Sequence, residues 1–195
     1  GGVDDAEDAD VIAHEYGHGV STRLTGGPAN VSSLNAIQSG AMGEGWSDWW
    51  GLMFTQQAGD VDSDPRHIGA YVQNRTSAGP GIRRFPYSFN MSIDPVTFAN
   101  FNGGFPNNEV HNVGEIWASA LWDMNWLLID KFGYDSDLYN GTGGNNLALQ
   151  LVMDGLKLQP ANPSFLDGRD AILAADVALT GGANQDEIWQ AFARR

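Results

Sequence analysis

Asp10 to Leu24 reads DVIAHEYGHGVSTRL, and the positions of His14, Glu15 and His18 inside it decide how the rest of the chain is read. On an α-helix His14 and His18 lie about 40° apart in projection and Glu15 falls about 60° from His18, so the three side chains share a face. Two neutral imidazoles one turn apart can reach a single zinc ion at about 2.0–2.1 Å, and the carboxylate between them can take a proton from a metal-bound water. A helix with two incidental histidines is the plain alternative. In a chain with four histidines the full pattern arises by chance about once in a hundred such sequences or less. A zinc ion that does chemistry normally takes three protein ligands and keeps a fourth position open, so the next question is the third ligand.

Composition restricts where that ligand can come from. The 195 residues contain no cysteine, which excludes a disulfide frame, a thiolate zinc site and a cysteine nucleophile, and leaves histidine and carboxylate as ligands. Ten Lys and Arg stand against 24 Asp and Glu, a formal charge of −14 that repels phosphate and argues against nucleic acid or an anionic membrane as partner. No apolar run approaches the ~18–20 residues needed to cross a bilayer. The opening GGVDDAEDAD is no signal peptide and reads as the middle of a longer protein. The length suits one domain with a substantial core.

Outward from the motif the chain is mainly helical. Asp8 or Asp10 caps the first helix, and Gly26-Gly27-Pro28 stops it after Thr25. A second helix, roughly Ile37 to Gln57, carries Met42, Trp46, Trp49, Trp50, Met53 and Phe54 at helical spacing and is expected to be buried on most sides. Asp60, Asp62 and Asp64 lack the Gly and Glu of an EF-hand loop, whose places are held by Pro65 and Tyr71. They read as a solvated loop leading into a helix with Pro65 in its first turn and His67 at its surface. Residues 75 to 106, rich in Gly, Pro, Asn and aromatics, form a long structured loop with one short strand around Ile82 to Phe85. Further helices are expected over Val110 to Phe132, Asn145 to Leu158, Phe165 to Leu179 with Ser164 as cap, and Gln185 to Arg195 with Asn184 and Glu187 spaced as a capping box.

Continuations of the zinc helix narrow the search. The metzincin pattern needs Gly and His three and six residues after the second histidine, and those positions are Ser21 and Leu24. A ligand from the second helix remains. Glu44 and Asp48, spaced i and i+4, project from one face of it. If Glu44 binds the metal, Asp48 can accept the free ring N–H of a ligand histidine and fix its tautomer. The alternative is a pair of solvated carboxylates, and their setting among Met42, Trp46, Trp49 and Trp50 weighs against it.

HEYGHGVSTRLTGG, GAMGEGWSDWW, GIRRFPYS and EVHNVGEIWASALWDM, in this order and at these separations, resemble the catalytic half of the fungalysin family, secreted zinc metallopeptidases distantly similar to thermolysin. The resemblance implies zinc held by His14, His18 and Glu44, with Glu15 as general base and Asp48 behind a ligand histidine. It implies His111 and Arg83 as stabilisers of the oxyanion, with Arg84 the lesser choice of arginine. On the residues alone, a lone histidine at a helix start is more often a cap or a packed surface residue. Glu109, two residues before His111, is in a position to orient its ring. Val11 and Ile82 resemble the lining of the family's primary pocket, which implies a hydrophobic residue after the cleaved bond. Asp10 matches a calcium-binding aspartate of thermolysin, but Thr55 stands where an acidic partner is expected, which argues against Ca2+.

Family members also carry a β-rich lobe ahead of the zinc helix, whose edge strand holds the substrate backbone, and this chain has no such lobe. The expectation is therefore a single helical zinc-binding lobe over residues 1–195, extracellular by resemblance, with a polypeptide substrate and its own missing lobe or a propeptide as partners. The abundant tryptophan and phenylalanine suggest apolar surface that such a lobe would cover. Two functions are open: a zinc endopeptidase, or an isolated zinc-binding lobe that is catalytically incomplete and acts as a folded fragment or interaction module. A β-rich segment upstream of Gly1 distinguishes them.

Overall fold

The computed structural model describes residues 3–73, 80–101 and 109–195. Six helices carry its regular structure: α1 (Ala9–Leu24), α2 (Ile37–Thr55), α3 (Val110–Phe132), α4 (Gly144–Leu158), α5 (Phe165–Thr180) and α6 (Gln185–Arg194). Single 3-10 turns lie at Asp5–Glu7 and Phe98–Asn100. Among the described residues there is no β-strand, and no helix is long and apolar enough to cross a membrane.

Of the two aspartates that could start α1, Asp8 is the cap. Its Oδ1 accepts the N–H groups of Asp10 and Val11, and its Oδ2 accepts that of Val72, so the cap also fastens the loop after α2 to the start of α1. The start of α2 has no cap of its own. Asn162, at φ 55°, reaches across from the turn before α5, and its side-chain oxygen accepts the N–H groups of Asn35 and Ala36.

The centre is the pair α2 and α3. α1 packs on α2, α4 and α6 pack on α3, and α5 packs on α4. Enclosure by these neighbours explains why both central helices are apolar nearly all round. Trp46, Trp49, Trp50, Trp117, Trp122 and Trp126 are buried, with Trp46 and Trp117 meeting edge to face at 5.5 Å. Only Trp189 of the seven tryptophans is exposed, at 46 %. Trp46, Trp49 and Trp50 are thus core, as their helical spacing implies, and the suggestion that the tryptophans mark apolar surface is corrected.

Three further expectations are corrected. No helix follows Pro65: Arg66 exchanges backbone hydrogen bonds with Tyr87, both 2.8 Å, and Ile68 accepts the N–H of Ile82 at 2.9 Å, so these backbone groups are engaged across the chain. The segment 82–85 is no strand, and its contact with residue 68 is an isolated bridge at Gly81. Gly81 sits at φ 64°, and a Cβ there would lie 2.0 Å from the Ile68 carbonyl oxygen. His67 is half-buried in this crossing rather than at the surface. Part of the long loop, residues 75–79 and 102–106, falls outside the described residues.

The capping box expected at α6 does not form either. Asn184 donates its side-chain N–H to Asp176 at 2.8 Å, and Glu187 pairs with Lys131 at 2.9 Å, so both members have stronger partners elsewhere. Ser164 caps α5 as expected.

Candidate metal centre

Glycines let the helices that carry the site approach one another. A Cβ on Gly17, between the two histidines of α1, would lie 2.7 Å from the Trp50 ring, so α1 settles directly onto α2. A Cβ on Gly45 would lie 2.5 Å from the Gly114 carbonyl oxygen, and one on Gly114 would lie 2.6 Å from that of Ala41. The backbones of α2 and α3 therefore touch beside Glu44. His14 and His18 from α1, Glu44 from α2 and His111 from α3 converge as a result.

The convergence has the dimensions of a metal site. His14 Nε2 lies 3.1 Å from His18 Nε2 and 3.2 Å from Glu44 Oε2, and His18 Nε2 lies 3.6 Å from that oxygen. Four tetrahedral ligands at the zinc bond lengths of about 2.0–2.1 Å stand roughly 3.3 Å apart. Glu44 Oε2 is buried and accepts no hydrogen bond, the His14 contact being an ion-pair approach without hydrogen-bond geometry. His14 Nδ1 lies 2.7 Å from Asp48 Oδ1, and because an ionised carboxylate only accepts, the proton of a neutral His14 belongs on Nδ1 and the Nε2 lone pair points into the cluster. With His14 neutral, the two imidazole nitrogens and the Glu44 oxygen are three ligand atoms of the kind that fits a cation.

The charges at the site respond to this packing. Burial pulls the His14 imidazole down, but the carboxylates of Asp48 and Glu44 outweigh it and hold it up at about 9. His18 is lowered, first by burial. Burial would raise Glu44, but its contact with His14 and the charges of His18 and His111 bring it below its ordinary value. Asp48, buried against α1, is held down at about 2 by His14 and Arg83 despite its desolvation.

Asp48 is the most heavily bonded group here. Its Oδ1 receives His14 Nδ1 and Arg83 Nη2, both at 2.7 Å, and its Oδ2 receives Arg83 Nε at 2.6 Å and the Tyr87 hydroxyl at 2.5 Å. Arg83, expected to face the oxyanion, thus turns two of its nitrogens to Asp48. Arg84 turns the opposite way and grips the buried Glu115 of α3 through Nε at 2.9 Å and Nη2 at 2.6 Å. Consecutive arginines so tie the loop to two different helices. Tyr87 escaped the sequence reading because a loop residue has no periodicity to betray it, although it stands four positions after Arg83 in GIRRFPYS.

Glu15 is exposed and lines a cavity of about 520 Å³ with Tyr16, Gly19, Val20, Arg23, Leu24 and Met153. His111 Nε2 lies 3.3 Å from Glu44 Oε2, and its Nδ1 lies 2.5 Å from Glu109 Oε1, while Glu109 also caps α3. Val11 is half-buried on α1 and Ile82 is 40 % exposed beside Arg83. Near Asp10, Arg66 donates to the Thr55 hydroxyl at 2.8 Å and pairs with Asp60. A larger cavity, 660 Å³, lies between the end of α3, α4 and the end of α5, shares Met153 with the first, and has no charged side chain in its lining.

A family model described as fungalysin metallopeptidase (M36) matches residues 2–195. Among curated proteins, the extracellular metalloproteinase mep of Aspergillus fumigatus is 48 % identical over 198 residues, covering 98 % of this chain and 30 % of that protein. The extracellular metalloproteinase MEP of Neosartorya fischeri is likewise 48 % identical, and extracellular metalloproteinase 9 of Coccidioides posadasii is 44 % identical, each with the same coverage. The chain spans about 30 % of the length of these relatives.

Proposed function

This chain belongs to the fungalysin metallopeptidase family, and from that premise we propose that it carries the zinc site of a secreted endopeptidase that hydrolyses peptide bonds. The observation that supports this most directly is the trio His14, His18 and Glu44, with donor atoms 3.1, 3.2 and 3.6 Å apart and an orphaned buried carboxylate oxygen among them. These three would hold the ion. Zinc bound there would polarise the scissile carbonyl and acidify a water.

The chain's own residues supply the rest. Glu15, adjacent to His14 and open to solvent, takes the proton of the attacking water and hands it to the leaving amine. Asp48 keeps His14 in the tautomer that presents Nε2, and Arg83 acts through Asp48 by holding its carboxylate. His111, anchored on Glu109 through Nδ1, stabilises the developing oxyanion when its Nε2 carries a proton. Val11 and Ile82 give the site its preference for a hydrophobic residue after the cleaved bond. Residues 1–195 act as one helical lobe, and the names of the relatives support an extracellular location.

The 30 % share of the relatives' length favours a second reading, in which this stretch binds zinc but cleaves only together with further parts of a longer protein. One experiment separates the two. Elemental analysis of the purified chain is run beside cleavage of an unstructured protein with and without chelator. One zinc per chain with chelator-sensitive cleavage establishes the peptidase. One zinc without cleavage supports the second reading, and no zinc after metal is supplied refutes both.

A further inference from the structure

Asp48 carries two donors on each oxygen, and the four come from three residues. His14 comes from α1, Arg83 contributes one N–H to each oxygen, and the Tyr87 hydroxyl completes Oδ2. Arg83 alone straddles the carboxylate and leaves the Oδ2 lone pair unfilled, in a place closed to water: Tyr87 is 2 % and Asp48 1 % exposed. A phenol on a carboxylate at 2.5 Å is a strong, charge-assisted bond. Tyr87 is in turn fixed through its backbone. Its backbone N–H and C=O both pair with Arg66, at 2.8 Å each, and Arg66 is tied to Thr55 and Asp60 at the end of α2.

We propose that Tyr87 is a positioning residue for the metal site: its hydroxyl pins Asp48 Oδ2, which leaves Oδ1 directed at His14 Nδ1 and presets His14 Nε2 toward His18 and Glu44. The inference rests on the zinc reading above. With the hydroxyl gone, the carboxylate turns about its Cβ–Cγ bond and Arg83 competes with His14 for Oδ1, so His14 loses its fixed orientation before any ion arrives. Tyr87 touches neither substrate nor ion. It acts two bonds away, through an aspartate.

The test is zinc affinity by chelator competition on the full chain, comparing wild type, Tyr87→Phe and Tyr134→Phe. Tyr134 also donates a hydroxyl to a protein oxygen, that of Gln56, but has no contact with Asp48. Tyr87→Phe is expected to weaken zinc about 10-fold, the lower end of what partners behind a metal ligand contribute, and Tyr134→Phe to leave it unchanged. In metal-free protein with 15N-labelled histidine, Tyr87→Phe should also shift the Nδ1–H resonance of His14, which general loosening at Tyr134 would not. In an Asp48→Asn background, Tyr87→Phe should have no further effect. Wild-type affinity in Tyr87→Phe, equal losses in both tyrosine variants, or additive losses with Asp48→Asn would each overturn the proposal. If Tyr87→Phe does not fold, a fluorotyrosine placed at position 87, a stronger donor of the same shape, should tighten zinc, and unchanged affinity there counts against it. Failure of the wild type to bind zinc is a different result, and removes the zinc reading itself.

Discussion

Two clusters of buried charge sit on the central helices, one around Asp48 of α2 and one around Asp123 of α3, and their hydrogen bonding differs in kind. Around Asp123, Arg195 places all five of its N–H groups: Nε and Nη2 on the two oxygens of Asp123 at 2.7 and 2.8 Å, Nη2 again on Ser88 O, and Nη1 on Asp94 O and Val96 O. Arg194 adds a further bond to Asp123 at 2.9 Å. Nothing is left over. Around Asp48 the carboxylate is equally saturated, but the cluster it supports ends in His14 Nε2, His18 Nε2 and Glu44 Oε2, three metal-ligating atoms within 3.6 Å of one another, the last of them without a hydrogen bond. A closed network of donors and acceptors holds a fold together, whereas one that ends in converging ligand atoms and an unbonded carboxylate oxygen suits a cation from outside.

If that contrast is right, the two clusters answer different perturbations. Glu15→Gln removes the base and leaves the three ligands in place, so cleavage by the active protein should fall about 10²–10⁴-fold with zinc stoichiometry unchanged. Loss of zinc in that variant would instead make Glu15 a ligand. Asp123→Ala strips Arg195 and Arg194 of their shared carboxylate inside the protein and should cost about 3–5 kcal/mol in urea unfolding. Zinc affinity measured on its folded fraction should not change. A drop in affinity would mean that the clusters are coupled along α3. Gly114→Ala falls between them: it forces α3 away from Ala41 and Glu44, with an expected cost of about 1–3 kcal/mol. It should also weaken zinc, because Glu44 moves with the contact, and a variant that loses stability alone would show that Glu44 adjusts independently.

The same contrast explains what the sequence disclosed. The convergence of His14, His18, Glu44 and Asp48 was legible because helical spacing puts side chains on a fixed face, and α3 was bounded correctly at Val110 and Phe132 by its apolar stripe and Gly133. Helix ends that depend on distant partners were not. Asn184 looked like a cap because nothing in its neighbourhood names Asp176 as the stronger partner. The Pro65 segment looked helical because its pairing with residues 81–87 is set across the fold. Arg83 and Tyr87 stand in a loop, where the direction of a side chain follows from what the loop packs on. Helical spacing placed Trp46, Trp49 and Trp50 inside, and the enclosure of α3 puts Trp117, Trp122 and Trp126 in the same core.

The most gradual expected effect concerns protons at the closed cluster. Burial pushes Asp94 up to about 6, against the charge of Arg195 at 3.4 Å and the hydrogen bond from Ser119 at 2.8 Å, while its ordinary value is 3.8. The folded protein therefore binds this proton more readily than the unfolded chain does between those two values. Asp94's contribution to stability is fully present below 3.8 and is lost as pH rises through about 6. Its slope is at most about 1.4 kcal/mol per pH unit. Asp94→Asn cannot titrate, so urea unfolding of the metal-free wild type and variant should give curves that converge or diverge across this window by that slope. Groups common to both, His14 included, cancel in the difference. Parallel curves would mean that Arg195 keeps Asp94 ionised throughout, and that the closed cluster holds its charges at no cost in protons.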